Sequence, residues 1–504
     1  MAGMWSIENR NSEFAMRTHN QEKKPVTAAA PGCLNAVSGF CRRNRSRTIT
    51  RSGSILIACA VLVLAGCAMI PKYQQPASPV SAQFPGVAQT SAGHAAGLGW
   101  ETVFTDERLK QLIRVSLTNN ADYQVAVLNV EQSRAQYRIT RSASFPSVSA
   151  GGSYTGAGDF TTATKAWSAS LGSTAYEVDL FGRVRSLNRQ ALEKYFATVE
   201  GKRSAQVSLV AEVATEYFTL RQAEEQIALV KQTLQTVEDS YALNQATFDA
   251  GASSELDLRT AEGQVQTAKI NLLGYERDRA QAEDYLVLLI GQPMPAILPP
   301  SRSFNDTNLV ADIPAGLPSE LLQQRPDILE AEHTLKAANA DIGAARAAFF
   351  PTITMTASVG STSAEFEKLF GSGTGVWSFS PQVTLPIFTA GQNLASLDAA
   401  KVGKRIEVQH YRLAIETAFR EVADALVASR SYTKQIGEES LLVATQQRRF
   451  ELANLRYRHG EDTYLNVLSS QQDLYSAQQD LLLAHFHQLT SQISLYEAVG
   501  GGWN

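Results

Sequence analysis

The stretch Ala211-Glu-Val-Ala-Thr-Glu-Tyr-Phe-Thr-Leu-Arg221 has a second version later in the chain, Arg420-Glu-Val-Ala-Asp-Ala-Leu-Val-Ala-Ser-Arg430, at a spacing of 209 residues. The same spacing relates five further pairs: Gly182 and Gly391, Phe248 and Tyr457, Gly251 and Gly460, Leu256 and Leu465, Gly291 and Gly500. A spacing that holds without a gap over so long a stretch indicates an internal duplication. We therefore predict one pseudo-symmetric body made of two halves.

Each copy predicts very long helices. No proline occurs between Pro146 and Pro293, or after Pro386. In the first copy, apolar residues recur every seven positions: Val213, Leu220, Ile227, Leu234, Tyr241 and Phe248. This spacing is typical of a coiled-coil seam. A continuous helix from Leu187 to Ala250 would be about 90 Å long.

Glycines interrupt both helical stretches at equivalent places. The first copy turns at Asp249-Ala-Gly251 and the second at Arg458-His-Gly460, and helical patterns resume in both. The sequence thus predicts long helical hairpins over residues 183–291 and 391–500.

Ahead of each hairpin the apolar period changes from 3.6 to 2. In Trp377-Ser-Phe-Ser-Pro-Gln-Val-Thr-Leu-Pro-Ile387 and in Ile353 to Val359, apolar residues alternate with polar ones. We expect paired strands over about 146–181 and 351–388. Each strand would have about ten residues, the length that a tilted strand needs to cross a bilayer.

A soluble β-sandwich would also alternate. However, two strand pairs give only four strands, and nothing else in the chain could cover their apolar faces. Four strands cannot close a barrel, and open edges are not tolerated in lipid. Membrane strands would therefore require a shared barrel, with twelve strands from three chains or eight from two.

The first 66 residues predict a secretory signal. They hold nine Lys/Arg and three Asp/Glu, and a basic cluster precedes the short apolar run Ile55–Leu64. The whole chain has a net charge of −4, so the part from Cys67 onward carries −10, which argues against nucleic-acid binding. The residues before the basic cluster look long for a signal, so translation is expected to start further downstream.

Leu64-Ala-Gly-Cys67 resembles the bacterial lipobox. The resemblance implies cleavage before Cys67, followed by attachment of an N-acyl chain and diacylglycerol to it. An ordinary signal peptide or a short core helix is the alternative. The lipidated segment 67–99, rich in Pro, Ala, Gly, Ser and Gln, predicts an extended tether.

The expected domain order follows from these patterns. A first repeat at 100–291 is joined by a Pro-rich linker at 292–316 to a second repeat at 317–500, and a short tail follows at 501–504.

Several motifs together resemble the TolC-like outer-membrane efflux family, in its lipoprotein branch typified by OprM. They are the lipobox, Tyr176-Glu-Val-Asp-Leu-Phe-Gly-Arg183, Phe-Pro before each strand pair, Arg325-Pro-Asp327 and Leu495-Tyr-Glu-Ala-Val-Gly-Gly-Gly-Trp503. The likeness covers residues 64 to 504. It implies an α+β membrane protein that forms a homotrimer. Twelve shared strands would make a barrel in the outer membrane of a Gram-negative bacterium, continuing into a long periplasmic barrel of helices.

The same resemblance implies the exit duct of a tripartite efflux pump for drugs or other small toxic solutes. Its partners would be a periplasmic adaptor (a membrane fusion protein) and an inner-membrane resistance-nodulation-division transporter. The alternatives are a duct for protein or polysaccharide secretion, and a lipid-anchored coiled-coil scaffold without a channel. Catalysis is not expected, because the chain has no phosphate loop or nucleophile elbow and His485 and His487 diverge on a helix.

In this family the helix tips close the pore. The resemblance places a constricting leucine at Leu465, and the positions that are often aspartate in relatives match Asn466 and Ser469. The negative charge could instead come from nearby acids: Asp473, Glu461 and Asp462. These acids could also be ordinary solvated groups at a helix start.

The two tip turns are expected to contact the adaptor. The candidate residues are Asp249, Gly251, Tyr457, Arg458, Gly460, Glu461 and Asp462. Each glycine could also be explained by turn chemistry alone.

Overall fold

The computed structural model describes residues 68–81, 83–84, 99–159, 162–302, 304, 310 and 322–502. All of them belong to one compact unit, Leu64–Asn504. The predicted signal peptide, the predicted lipidation site Cys67 and much of the Pro-rich linker lie outside the described residues.

Three helices precede the first strand pair: α1 (Trp100–Val103), α2 (Glu107–Asn119) and α3 (Ala121–Ser142). Asp106 caps the start of α2, and its carboxylate accepts the Arg108 N–H at 2.8 Å and the Tyr217 hydroxyl at 2.8 Å. The apolar face of α2 is buried at Leu109, Leu112 and Ile113.

Four antiparallel strands form one sheet in the order β1 (Ser149–Gly158), β2 (Ala163–Glu177), β3 (Thr352–Ser363) and β4 (Gly375–Thr384). Strands β2 and β3 join the two repeats through pairs such as Leu171 with Val359. All four strands lie inside the two predicted ranges, and within the described chain β1 and β4 each pair on one side only.

The long helices follow the prediction closely. The first hairpin consists of α4 (Arg183–Asp249) and α5 (Glu255–Ile290). Helix α6 (Pro326–Ala347) then leads into β3, and the second hairpin consists of α7 (Gln392–Arg458) and α8 (Tyr464–Ala498). Helices α4 and α7 each have 67 residues, which corresponds to about 100 Å.

The first half of the heptad seam of α4 is buried, and the seam becomes more exposed towards the tip. Val213 is 0% exposed and Leu220 is 3% exposed, whereas Phe248 at the tip is 36% exposed. The central hydrophobic core draws on both repeats and contains large buried side chains from six helices: Leu112, Tyr217, Leu286, Ile328, Tyr411 and Tyr496. The two halves therefore fold around a shared core.

The described part of the segment predicted as a tether is extended but is fixed to the body. We call this part, residues 68–81 and 83–84, the N-terminal strap. Its contacts run in chain order along α6 and α7: Met69 O with Arg346 (3.4 Å), Pro71 O with Asn339 (2.8 Å), Tyr73 Oη with Glu332 (3.1 Å), Gln75 Nε2 with Tyr411 (2.8 Å), and Phe84 stacked on Phe419 (ring centroids 5.0 Å).

The strap approaches α6 closely at Gly343. A Cβ atom there would lie 2.7 Å from Ile70 and 2.6 Å from the Ser186 hydroxyl, so only glycine fits. The composition of the segment predicted an extended chain, as the strap is, but it did not indicate that the strap would pack against α6 and α7.

Among the described residues, no helix is both long enough and apolar enough to span a membrane.

Candidate functional site

The two helix tips are tight turns whose glycines have the left-handed backbone conformation. Gly251 has φ +71° and Gly460 has φ +73°, and a Cβ at either would meet no atom within 4 Å. Glycine is therefore needed for the backbone conformation and not for packing. The turns are closed by N–H groups of Ala252 and Glu461, which donate to the carbonyls of Thr247 (2.8 Å) and Arg456 (3.0 Å).

The two returning helices begin differently. In the first tip Ser254 and Asp257 form a reciprocal capping box at the start of α5. Thr463 and Asn466 occupy the equivalent positions in the second tip, 209 residues later. Asn466 stands where the first tip has an aspartate, and its side chain donates to Asp462 instead of completing a capping box.

Asp462 stabilises the turn ahead of α8 in the second tip. Its Oδ1 accepts the N–H of Thr463 at 2.8 Å and the amide of Asn466 at 2.5 Å. These two hydrogen bonds, together with the charge of Arg456, lower the pKa of Asp462 below its usual value. Asp462 is thus engaged in holding the turn.

The second tip is also attached to the first hairpin. The Tyr457 hydroxyl donates to Oδ1 of Asn244 at 3.2 Å, and Asn244 is fully buried. The rings of Tyr457 and Tyr464 lie 5.6 Å apart, and Tyr464 packs with Ala261 of α5. Burial, with the nearby Asp257 charge, raises the pKa of Tyr457. Nothing in the local sequence pattern around Asn244 indicates its distant partner, so Asn244 could not be predicted as a tip residue.

Leu465, Ser469 and Asp473 follow one another at intervals of four residues and share one face of α8. Leu465 is 67% exposed. Asp473 forms an ion pair with Arg449 of α7 at 2.5 Å, which offsets part of its charge. Asn466 is exposed but is bonded to Asp462.

Four of the predicted tip residues, all from the second copy, lie around a cleft: Tyr457, Arg458, Gly460 and Asp462. The predicted residues of the first copy, Asp249 and Gly251, do not line it. Its volume is about 520 Å³, and residues of both tips line it: Leu243, Thr247, Ala252, Ser253, Asp257, Tyr457, Arg458, Gly460, Asp462, Thr463 and Tyr464. Of the other candidates, Asp249 accepts a hydrogen bond from Gln245 at 2.9 Å, and Glu461 is exposed at the turn.

The described residues contain no group of three or more His, Cys, Asp or Glu side chains that could hold a metal ion. His487 stacks on Tyr432 with ring centroids 5.3 Å apart. His485 is partly buried, and this burial lowers its pKa. These surroundings are those of packed helix residues.

The profile of the family described as "Outer membrane efflux protein" matches residues 112–292 and 317–501, one match for each repeat. These ranges agree with the two repeats derived from the 209-residue spacing.

Individual relatives match over nearly the whole chain. The toluene efflux pump outer membrane protein TtgC and the antibiotic efflux pump outer membrane protein ArpC, both of Pseudomonas putida, are each 45% identical over 463 residues, covering 89% of this chain and 95% of theirs. The open-state structure of the Neisseria gonorrhoeae MtrE outer membrane channel superposes with a TM-score of 0.82 at 40% identity, covering 87% of this chain and 99% of that one.

Proposed function

Since the chain belongs to the outer membrane efflux protein family, we propose that it is the passive exit duct of a tripartite pump and opens at its periplasmic helix tips.

Membership of the family confirms the resemblance drawn from the sequence motifs. It also confirms the fold class, a subunit of a trimeric channel with four strands and a long helical part, and the location in the outer membrane. The protein is an outer-membrane efflux channel, and its relatives are channel proteins rather than enzymes.

The main support for the duct proposal is the exposure of the four-stranded sheet. The four-stranded sheet has unpaired outer edges at β1 and β4 within the described chain, and its side chains are widely exposed. Trp377 is 80% exposed and Val383 is 64% exposed. Such a sheet needs lipid around it and neighbouring strands at both edges, a requirement that a closed barrel of several subunits meets.

The long helices also expose apolar residues that would be buried by a neighbouring subunit. On α7, four apolar residues at fourteen-residue intervals are each between 59% and 65% exposed: Leu413, Val427, Leu441 and Leu455. The heptad positions between them are Arg420, Lys434 and Arg448, so this stripe alternates apolar and basic side chains, a composition that suits contact with another long helix. We assign this stripe to the helical wall formed with the next subunit of the homotrimer.

The cargo is proposed to be small toxic organic solutes. The two Pseudomonas putida relatives are named for the efflux of toluene and of antibiotics. A wide duct discriminates poorly between solutes, so selectivity and energy would come from an inner-membrane transporter of the resistance-nodulation-division class, joined through a periplasmic adaptor.

We assign adaptor contact to the two tips, at Asp249, Gly251 and the segment from Tyr457 to Asp462. The free space around Gly251 and Gly460 supports this assignment, because a partner can approach the backbone there. The gate is assigned to Leu465, with Asn466, Ser469 and Asp473 beside it on the same helix.

Conductance across planar lipid bilayers tests the duct. The purified full-length protein should give channels whose open probability rises when Leu465 is replaced by Ser, since a polar side chain weakens an apolar constriction. Leu256→Ser is the matched control, because Leu256 is the equivalent residue of the first tip and is 75% exposed. An absence of channels under every condition would instead favour a coiled-coil scaffold.

The lipid on Cys67 is a separate proposal that rests on the lipobox. Intact-protein mass spectrometry should show a mature chain beginning at Cys67 with the added mass of three acyl chains and a glyceryl group. Cys67→Ser should lose that mass, whereas Cys59→Ser, inside the predicted signal peptide, should leave it unchanged. An unmodified mature cysteine would refute lipidation.

A further inference from the structure

Gln471 is a buried amide without a hydrogen-bonding partner. It lies on α8, two turns beyond the second tip, and is 7% exposed. In the part of the chain that the structure describes, neither its Nε2 nor its Oε1 has a partner, and neither is reached by solvent. A primary amide removed from water in this way loses its hydration without compensation.

Hydrogen-bonding groups surround it on three helices. Gln471 borders a small cleft of about 50 Å³ between α4, α5 and α8, with amide or hydroxyl side chains at Thr233, Gln264, Thr267, Asn271, Gln472 and Tyr475. Several of these are engaged elsewhere. Thr267 donates to the Gly263 carbonyl at 2.9 Å, and Gln472 donates to Gln264 at 3.3 Å.

The unpaired amide is specific to the second repeat. The equivalent position of the first repeat, 209 residues earlier, is Glu262. Glu262 is partly exposed and pairs with Arg259 at 2.8 Å. The duplicated architecture therefore does not require a buried polar group at this position.

We propose that Gln471 is a gating residue that weakens the joined arrangement of the two hairpins. The joined arrangement is the one seen here, in which Tyr457 of the second tip contacts Asn244 of the first hairpin. When α8 moves away from α4 and α5, water reaches the amide and supplies the hydrogen bonds that it lacks in the joined arrangement. The unpaired amide thus raises the free energy of the joined tips and favours their separation. This inference rests on the proposed opening at the tips.

An apolar residue of similar size is the alternative to glutamine at position 471. Methionine has a similar length and would fill the same space without an unmet hydrogen-bonding requirement. It would therefore stabilise the joined arrangement. Glutamine at this site suits a protein whose two hairpins must separate.

The test is the open probability of Gln471→Met in planar bilayers, alongside its thermal unfolding midpoint. We expect open probability to fall about tenfold, equivalent to about 1.4 kcal/mol, while the unfolding midpoint stays the same or rises. Gln471→Leu should act in the same direction and provides the measurement if the methionine variant does not assemble. Gln447→Met is the control, because Gln447 is an exposed glutamine on α7.

The inference is overturned if Gln471→Met opens as often as the original protein, or if its unfolding midpoint falls. Either result would mean that the amide is hydrogen-bonded in the joined arrangement. These outcomes differ from a failure of the duct proposal, in which the unaltered protein itself would give no channels.

Discussion

Replacing Tyr457 with Phe should loosen the second tip. The substitution removes only the hydroxyl that donates to Asn244 at 3.2 Å. Because Asn244 is 0% exposed, its Oδ1 would then be buried without that donor. Leaving a buried acceptor unpaired costs about 1 to 3 kcal/mol, which corresponds to a shift of roughly 5- to 150-fold toward separated tips.

Single-channel recording in planar bilayers measures this shift as a rise in open probability. Tyr432→Phe is the control, because Tyr432 also lies on α7 but far from the tip, where its ring stacks on His487. A double-mutant cycle with Asn244→Leu should show that the two substitutions together change open probability less than the sum of their separate effects. Unchanged gating in Tyr457→Phe, or full additivity in the cycle, would refute the role of this contact.

Three further predictions concern stability. Phe84→Ala should lower the free energy of unfolding by about 3 kcal/mol and expose the strap to protease, since Phe84 is 5% exposed and stacks on Phe419. Burial alone would raise the pKa of Glu193, but its hydrogen bond with His333 and nearby cations lower it below 4.5. The stabilisation that ionised Glu193 gives the folded state is therefore present above pH 4.5 and lost as the pH falls through the lowered pKa of Glu193. Glu193→Gln should therefore flatten the decline of the unfolding midpoint in acid. Arg325→Met should cost about 2 kcal/mol in denaturant unfolding, because this buried guanidinium donates to the carbonyl of Ala498, the last residue of α8.

Local patterns were sufficient to locate the main elements. The seven-residue apolar period places α4, because burying one continuous stripe requires that period in a long helix. Alternation of apolar and polar residues locates the strands, because successive side chains of a strand point to opposite faces of the sheet. The glycine-bearing turns mark where each helix reverses direction, and Gly251 and Gly460 indeed have positive φ. Residues 68–84 were less well predicted, because a Pro- and Ala-rich composition indicates an extended chain without indicating what it contacts.

The sequence by itself determined the duplication, the order of strands and helices, the need for a shared barrel and the position of the tips. These features depend on residues close together in the chain or on a constant spacing, so one sequence is enough to reveal them. Only the tertiary structure decided which residues join the tips. Tyr457 meets Asn244 across 213 positions, and Gln471 is buried without a partner while its equivalent Glu262 is not. The physical reason is that two copies with similar apolar seams can pack against each other in several registers. The chosen register depends on the side-chain shapes of the whole interface, which no local period records.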